Sequence, residues 1–355
     1  MLCRSPAKLL SVSPSQPGTF EDSCVLATVV KTEGSTYQKS GAQMMLHRDG
    51  RQEGILTGAC AEGPILEAAQ NVWTTQKPLL RTLDSYSTED LLFGLGTGCQ
   101  GRQTLLLEFA ATRSSPLFLR KSSKKTVSAI VIRSRHEAQI GQRLYLSSGS
   151  PTPVFSSIDS ELLPQLTEIA ESVLKQEQSA VHSLSLSSGD EVEVSVLFQK
   201  PAPVLHVFGA GADAIAIYQL AAWMQWTVHV YEHRSIYLKK ETFPAAELHP
   251  KYEVDLSPFG DCKKLALVMT HNFMHDLLIL EKLVDEPFTY IGLLGPKKRG
   301  QNLLSKLQTS IPSNTLYFPV GLTLGGRSPH EIALSVIAEL QGVCEGKSLG
   351  HWRDV

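Results

Sequence analysis

The chain has 355 residues, 42% of them hydrophobic, enough for more than one core, so two domains are expected. Its 33 Lys and Arg against 35 Asp and Glu leave a formal net charge of −2, which favours neither nucleic acid nor an anionic membrane as a partner. Charged residues make up 19%, below the ~25% usual for globular chains, a deficit that fits some surface being covered by a partner.

The opening stretch, "MLCRSPAKLLSVSPSQPGTF", holds no acid and only short apolar runs, so it reads as a frayed terminus rather than a signal peptide. "SCVLATVVKTEG" (23–34) predicts a buried strand. "AQMMLHRDGRQEGIL" (42–56) predicts two strands around the Asp49-Gly50 hairpin signal. In "GPILEAAQNVWTTQ" (63–76) helical spacing puts Ile65, Leu66, Ala69 and Val72 on one face, and "RQTLLLEFA" returns to a strand. Two loops in this half place a cysteine among small residues: "TGACAEG" around Cys60, followed by Glu62, and "GTGCQGR" around Cys99. Such loops leave backbone exposed and room for something large to approach.

Residues 113–126 are rich in Ser and Lys and read as an exposed connection. "VSAIVIRSR" and "QRLYLSSGS" predict strands. "DSELLPQLTEIAESVLKQEQ" (159–178) predicts a helix with Asp159 or Ser160 as N-cap, and "DEVEVSVLFQK" a further strand. No internal repeat is read. A proline hinge at 201–203 sets an expected boundary, with residues 1–200 forming an N-terminal α+β domain and 201–355 a C-terminal α/β domain.

"VLHVFGAGADAIAIYQLAAWMQWTVHVYEHR" (204–234) has the order strand, glycine turn, helix, strand, acid that defines a βαβ unit. Gly209 makes the turn, Gly211 admits a phosphate to the backbone, and Ala214 lets helix pack on strand; Glu232 follows Gly211 by 21 residues. The same glycines also serve plain strand–helix packing. Further strands, "KLALVMT" and "FTYIGLLG", end at Thr270, His271 and Asn272 and at Gly292 and Gly295, so these residues are expected at one crevice beyond the carboxyl ends of a parallel sheet. Lys297, Lys298 and Arg299 begin the next helix, where cations oppose the macrodipole unless an anion sits there. The glycine-rich "VGLTLGG" (320–326) is expected to close the crevice. A last helix is announced by Ser328 as N-cap, Pro329, Glu331 completing a capping box, and Gly346 at the exit.

No apolar run approaches the ~20 residues of a membrane span. Six cysteines without a C-x-x-C pair suggest neither a disulfide framework nor a zinc site, so a reducing, cytoplasmic setting is expected.

Together these motifs resemble the XdhC/CoxI family, accessory proteins that mature molybdenum hydroxylases such as xanthine dehydrogenase. The resemblance runs through "LATVVKTEGSTYQKSGAQMML", "GACAEGPILEAA", "GCQGRQTLLLE", "HVFGAGADA", "VYEHR", "MTHNFMHD", "YIGLLGPKKR" and "PVGLTLGGRSPHEIALSVIAEL". It implies a chaperone that binds the molybdenum cofactor, shelters it while a cysteine desulfurase replaces an oxo ligand by sulfur, and delivers it to the apo-enzyme, with no turnover of its own. It also implies a homodimer.

The family's Ser-Gly-Gly-Cys-Val-Glu-Gly maps onto Thr57 to Gly63, so Cys60, Glu62 and Cys99 match the cofactor-binding positions. A soft thiolate suits a metal–sulfur centre, with Cys60 the molybdenum contact; as plain residues both cysteines would be small buried apolar groups. In the C-terminal half Gly209, Gly211, Ala214, Glu232, Arg234, Thr270, His271, Gly292, Gly295, Lys297 and Arg299 are the candidate cofactor-binding residues.

The chain departs from the pattern at four places: Ala212 replaces a histidine, Glu232-His233-Arg234 replaces Asp-Pro-Arg, Gln100-Gly101 replaces Gly-Gly, and Asn272 replaces an acid that could orient His271. The crevice leaves two alternatives open. One is an NAD(P)-dependent oxidoreductase with His271 as proton relay, and the other a nucleotide-sensing regulatory module. Neither needs the glycine-flanked cysteines.

Overall fold

The structure is a computed structural model that describes residues 23–58, 62–84, 101–111, 122–150, 152–308, 312 and 314–347. The chain forms two units, the first gathering Met1–Arg120 with Val127–Gln199 and the second Lys121–Thr126 with Lys200–Val355.

In the first unit, β1 (Cys24–Gly34) pairs antiparallel with β2 (Gln43–His47) and with β5 (Gly101–Ala110). Strands β3 (Gln52–Glu53) and β4 (Leu79–Asp84) flank them, giving the order β3-β2-β1-β5-β4, and helix α1 (Glu62–Thr75) lies between β3 and β4 in the chain. Residues 126–199 do the same thing again. Strands β6 (Thr126–Arg133), β7 (Arg143–Ser147), β8 (Phe155–Ser156), β9 (Ala180–Ser185) and β10 (Glu191–Gln199) form a sheet of order β8-β7-β6-β10-β9, with helix α2 (Leu163–Gln176) between β8 and β9.

The repetition extends to single bonds. Val29 N donates to Ala42 O and Gly41 N to Val29 O; Val131 N donates to Gln142 O and Gly141 N to Val131 O. Gln76 and Glu177 close the two helices in the left-handed conformation, each N–H reaching back to a valine carbonyl, Val72 and Val173. The unit is a duplicated βββαββ module, contrary to the expectation of no repeat. The copies share a burial pattern more than they share residues: Val25, Ala27 and Val29 fill one core where Val127, Ala129 and Val131 fill the other.

Helix α1 buries Ile65, Ala68, Ala69 and Val72, while Leu66, expected inside, is exposed. Its counterpart α2 is capped by Leu162 without a side-chain bond, not by Asp159 or Ser160. Asp159 is engaged elsewhere, its carboxylate accepting from Gln139 and Gln142. The other faces of the two sheets meet in a layer containing Val30, Leu106, Ile130, Ile132 and Leu197. The resulting order is helix, sheet, sheet, helix. Two charges enter this interior. Arg143 and Glu108 are 2% and 4% exposed and paired with each other, and Arg143 Nε also donates to Gly141 O.

The second unit is doubly wound. Six parallel strands, β11 (Val204–Phe208), β12 (Thr227–Tyr231), β13 (Glu247–His249), β14 (Lys264–Val268), β15 (Tyr290–Leu293) and β16 (Leu316–Tyr317), lie in the order β13-β12-β11-β14-β15-β16. Alternation sends Leu205, Val207, Val228 and Val230 to the face covered by α3 (Ala212–Trp223) and α6 (Pro329–Glu345). Phe208 and Tyr231 go to the face covered by α4 (Phe273–Leu283) and α5 (Lys297–Leu304). On that second face three imidazoles stack across neighbouring strands. The rings of His206 and His229 lie 5.1 Å apart, and those of His229 and His249 5.2 Å apart. Helix α6 carries its capping box as expected, with Ser328 and Glu331 bonded reciprocally and Gly346 left-handed at the exit.

Residues 122–126 belong to this unit rather than the first. Asp261 N donates to Ser123 O at 2.8 Å and Lys125 N to the Asp261 carboxylate at 2.9 Å.

Candidate functional site

Strand order reverses between β11 and β14, so the turns after β11, β12, β14 and β15 share the edge where open α/β sheets bind ligands. Gly209, after β11, has φ +125°, and a Cβ there would sit 2.5 Å from Met269 O, so only glycine makes this turn. Gly211 is the N-cap of α3, and a Cβ on it would meet nothing within 4 Å, which leaves the space that the fingerprint reserves for a ligand. Ala214 is fully buried and packs helix on sheet. Asp213 places a carboxylate in the first turn of α3, where a bound anion would meet it.

Glu232, at the end of β12, is fully buried with its charge compensated on the spot. Oε1 accepts from Arg234 N (3.1 Å) and Arg234 Nε (2.9 Å), and Oε2 from Arg234 Nη2 (2.8 Å). His233 Nδ1 lies 3.0 Å from Oε1 and 2.9 Å from the Tyr252 hydroxyl. Burial pushes the Glu232 carboxyl up, but the bonds and charge of Arg234 outweigh it and hold the group below the usual carboxylate range. Arg234 is raised in turn by the same bonds, and its guanidinium lies 4.5 Å from the centre of the Tyr237 ring.

Thr270 and Arg299 converge through a residue that sequence reasoning missed. Asp276, fully buried in the first turn of α4, accepts from Thr270 Oγ1 (2.6 Å) and Thr270 N (3.1 Å) on Oδ1, and from Arg299 Nη2 (2.6 Å) on Oδ2. The anion implied by cations at the start of α5 is, for Arg299, this carboxylate; Lys297 and Lys298 stay exposed. His275, next to Asp276, meets the His233 ring edge-on at 4.6 Å, so the Glu232 and Asp276 clusters are neighbours. The signal for Asp276 in the sequence was only the run "MTHNFMHD", where it reads as an ordinary first-turn acid.

Other candidates have local roles. His271 is exposed at φ 59° and makes no hydrogen bond among the described residues, while Asn272 caps α4 by accepting from His275 N. Gly292 is buried within β15, where a Cβ would lie 2.6 Å from the Tyr290 ring, so its bareness serves packing. Gly295 has φ +134°, a conformation strained for any other residue. The glycine-rich loop starting at Val320 is tied to α6, since Glu339 accepts from Gly321 N and Tyr290 OH.

In the first unit, Glu62 opens α1 and is exposed; Cys60 and Cys99 lie outside the described residues. An open groove of roughly 400 Å³ runs along α1, lined in part by Arg48, Leu66, Ala69 and Trp73, with the Arg48 guanidinium 5.0 Å from the Trp73 ring centre. Among the remaining cysteines, Cys24 is buried in β1, and burial pushes the thiols of Cys262 and Cys344 up, the latter to about 11, as expected of packing residues. Among the described residues no group of three His, Cys, Asp or Glu side chains is placed to hold a metal ion, and no helix is long and apolar enough to cross a membrane.

A parallel sheet in this order, entered through a glycine turn and with an acid after its second strand, defines a Rossmann unit. The chain belongs to the XdhC and CoxI family. The family model described as "XdhC and CoxI family" matches residues 21–84, and the model described as "XdhC Rossmann domain" matches residues 205–340. A Bacillus subtilis protein, named as a probable xanthine dehydrogenase subunit, is 32% identical over 331 residues, covering 90% of this chain and 93% of that protein. The Escherichia coli "Molybdenum cofactor insertion chaperone PaoD" is 23% identical over 324 residues, 90% of this chain and 83% of its own. A crystal structure described as a xanthine dehydrogenase from Bacillus halodurans superposes with a TM-score of 0.68 at 28% identity, covering 92% of this chain and 93% of that one.

Proposed function

We propose that this protein is an accessory chaperone for the molybdenum cofactor: it receives the cofactor as cargo, keeps it while a cysteine desulfurase supplies sulfur, and hands it to a xanthine dehydrogenase-type apo-enzyme. The observation that carries this reading is a likeness to the insertion chaperone PaoD spanning 90% of this chain, both units together, rather than the Rossmann fold alone. Cys60, with Glu62 beside it and Cys99 in the second loop, is the proposed holding site in the N-terminal unit. A thiolate is a soft donor suited to a metal–sulfur centre. The apo-enzyme, the desulfurase and a second copy of this chain are the proposed partners, and the cytoplasm the proposed compartment.

The test is co-elution of purified molybdenum cofactor with the full chain, read as the molybdenum-to-protein ratio, for the wild type and for Cys60→Ala. Retention by the wild type and loss in the variant support the chaperone with Cys60 as a contact. Equal retention keeps the chaperone and removes Cys60 from the site. Absence of molybdenum with NAD(P) retained instead turns the assignment to an oxidoreductase.

A further inference from the structure

A Rossmann acid reads the hydroxyls of a ribose by offering carboxylate oxygens to them. Glu232 has the right position in the chain but offers neither oxygen. Its side chain is 0% exposed, Oε1 takes two bonds from Arg234 with His233 Nδ1 at 3.0 Å, and Oε2 takes the third. The strand end presents the other member of the pair instead. Arg234 is 47% exposed, and its plane is fixed by the two side-chain bonds on one side and by the Tyr237 ring on the other. Nε and Nη2 are spent on Glu232, which leaves Nη1 without a partner among the described residues. A guanidinium immobilised in this way is a preorganised donor for phosphate oxygens and a poor acceptor site for a diol.

We infer that the crevice takes its ligand by a phosphomonoester, bound at Arg234, and does not select an unphosphorylated ribose. Two ligand sources carry that group: a dinucleotide phosphorylated on its ribose 2′-oxygen, and a pterin with a terminal phosphate. The pterin source rests on the chaperone reading; the dinucleotide source does not. In the sequence the acid after β12 gives no sign of this, because the residue that occupies it lies only two positions further on and its direction is set by the fold.

The experiment is titration calorimetry on the full chain with two matched pairs, NADP⁺ against NAD⁺, and a phosphorylated oxidised pterin derivative of the cofactor against its dephosphorylated form. Inorganic phosphate is added as a competitor. At least one phosphorylated member binds roughly tenfold tighter or better than its partner, about 1.4 kcal/mol, and inorganic phosphate displaces it. The pair that shows the preference identifies the source. Arg234→Lys keeps a cation beside the buried Glu232 but lacks the planar fork, and it removes the preference. Tyr237→Ala leaves the ion pair whole and weakens binding of the same ligand. Equal affinities within both pairs, tighter NAD⁺ than NADP⁺, no binding at millimolar concentration, or a preference that survives Arg234→Lys each overturn the inference. Molybdenum retention is read separately, so failure of the chaperone reading and failure of this one are distinguishable.

Discussion

Glu108 and Arg143, on β5 and β7, form an ion pair between the two sheets of the N-terminal unit with almost no solvent contact. Such a pair is costly to half-remove, because the surviving charge keeps its desolvation penalty and loses its partner. Glu108→Gln or Arg143→Met alone is expected to lower stability by about 3–5 kcal/mol, while Glu108→Leu with Arg143→Met costs much less. Denaturant unfolding of the three variants checks this. A double variant no more stable than either single one would mean that the pair is not the unit of stability.

Asp276 joins Thr270 to Arg299 with both oxygens in use. Asp276→Asn replaces one acceptor oxygen by a donor facing a donor, and the expected loss is about 1.5–3 kcal/mol, the range for hydrogen bonds to charged groups. The midpoint of urea unfolding, followed by tryptophan fluorescence, to which Trp223 and the buried Trp226 of the same unit contribute, measures it. A variant as stable as the wild type would show that Arg299 finds another anion.

The imidazole stack is expected to make the C-terminal unit acid-sensitive. Burial pushes His206 down to about 3, with the neighbouring His229, His249 and Lys264 adding to the shift; His229 goes down to about 4, by burial and then by His249. Both groups fold in the neutral form, so the unfolded chain binds more protons below its own pKa of 6.5. Their contribution is complete above pH 6.5 and is lost as pH falls toward the folded values, with about 2 kcal/mol per histidine gone by pH 5. Stability measured between pH 7 and pH 5 falls for the wild type and falls less for His229→Leu. The Glu232 carboxyl is also held down, but its loss belongs below the ordinary carboxylate range, so the two effects separate on the pH axis.

The duplication supplies an internal control for the cysteine loops. β9 passes to β10 through residues 186–190, a short turn in which Leu186 N donates to Asp190 O; the matching connection, from β4 to β5, runs through residues 85–100 and includes Cys99. One module therefore closes with a few residues where the other uses many. Replacing 85–100 by the 186–190 segment is expected to leave the thermal midpoint within a few degrees and to abolish retention of molybdenum cofactor. Unfolding of that chimera would assign the longer connection to stability instead.

Features written in local chemistry were legible in the sequence. The Asp49-Gly50 hairpin, the glycine turn into α3 and the Ser328–Glu331 capping box each rest on residues a few positions apart, and all three formed as expected. The duplication was present in outline, "VLATVVKT" (25–32) against "VSAIVIRS" (127–134), but a repeat of burial with changed residues gives little to match. Short edge strands such as β13 and β16 carry too few residues for an alternation to show. At the crevice the chain order of the ligand-edge residues was readable, whereas the closure of Glu232 by Arg234 and the burial of Asp276 depend on side-chain direction, which spacing does not fix. Leu66 was misplaced for a related reason: Ala68, small and unremarkable in the sequence, takes the inward position.

The loan of residues 122–126 to the second unit has a bearing on how such a protein can be divided or recombined. Gene fragments cut at residue 200 would give a C-terminal half in which Asp261 loses the main-chain partners supplied by Ser123 and Lys125, and in which Gly260, whose bareness makes room for Ser123 O, faces nothing. The N-terminal half would carry the unmatched strap. Because the chain crosses between units on both sides of residues 122–126 and again after Gln199, no single breakpoint separates them cleanly. A lineage that shuffled one unit without the other would have had to rebuild this strap, so the two are expected to be inherited together.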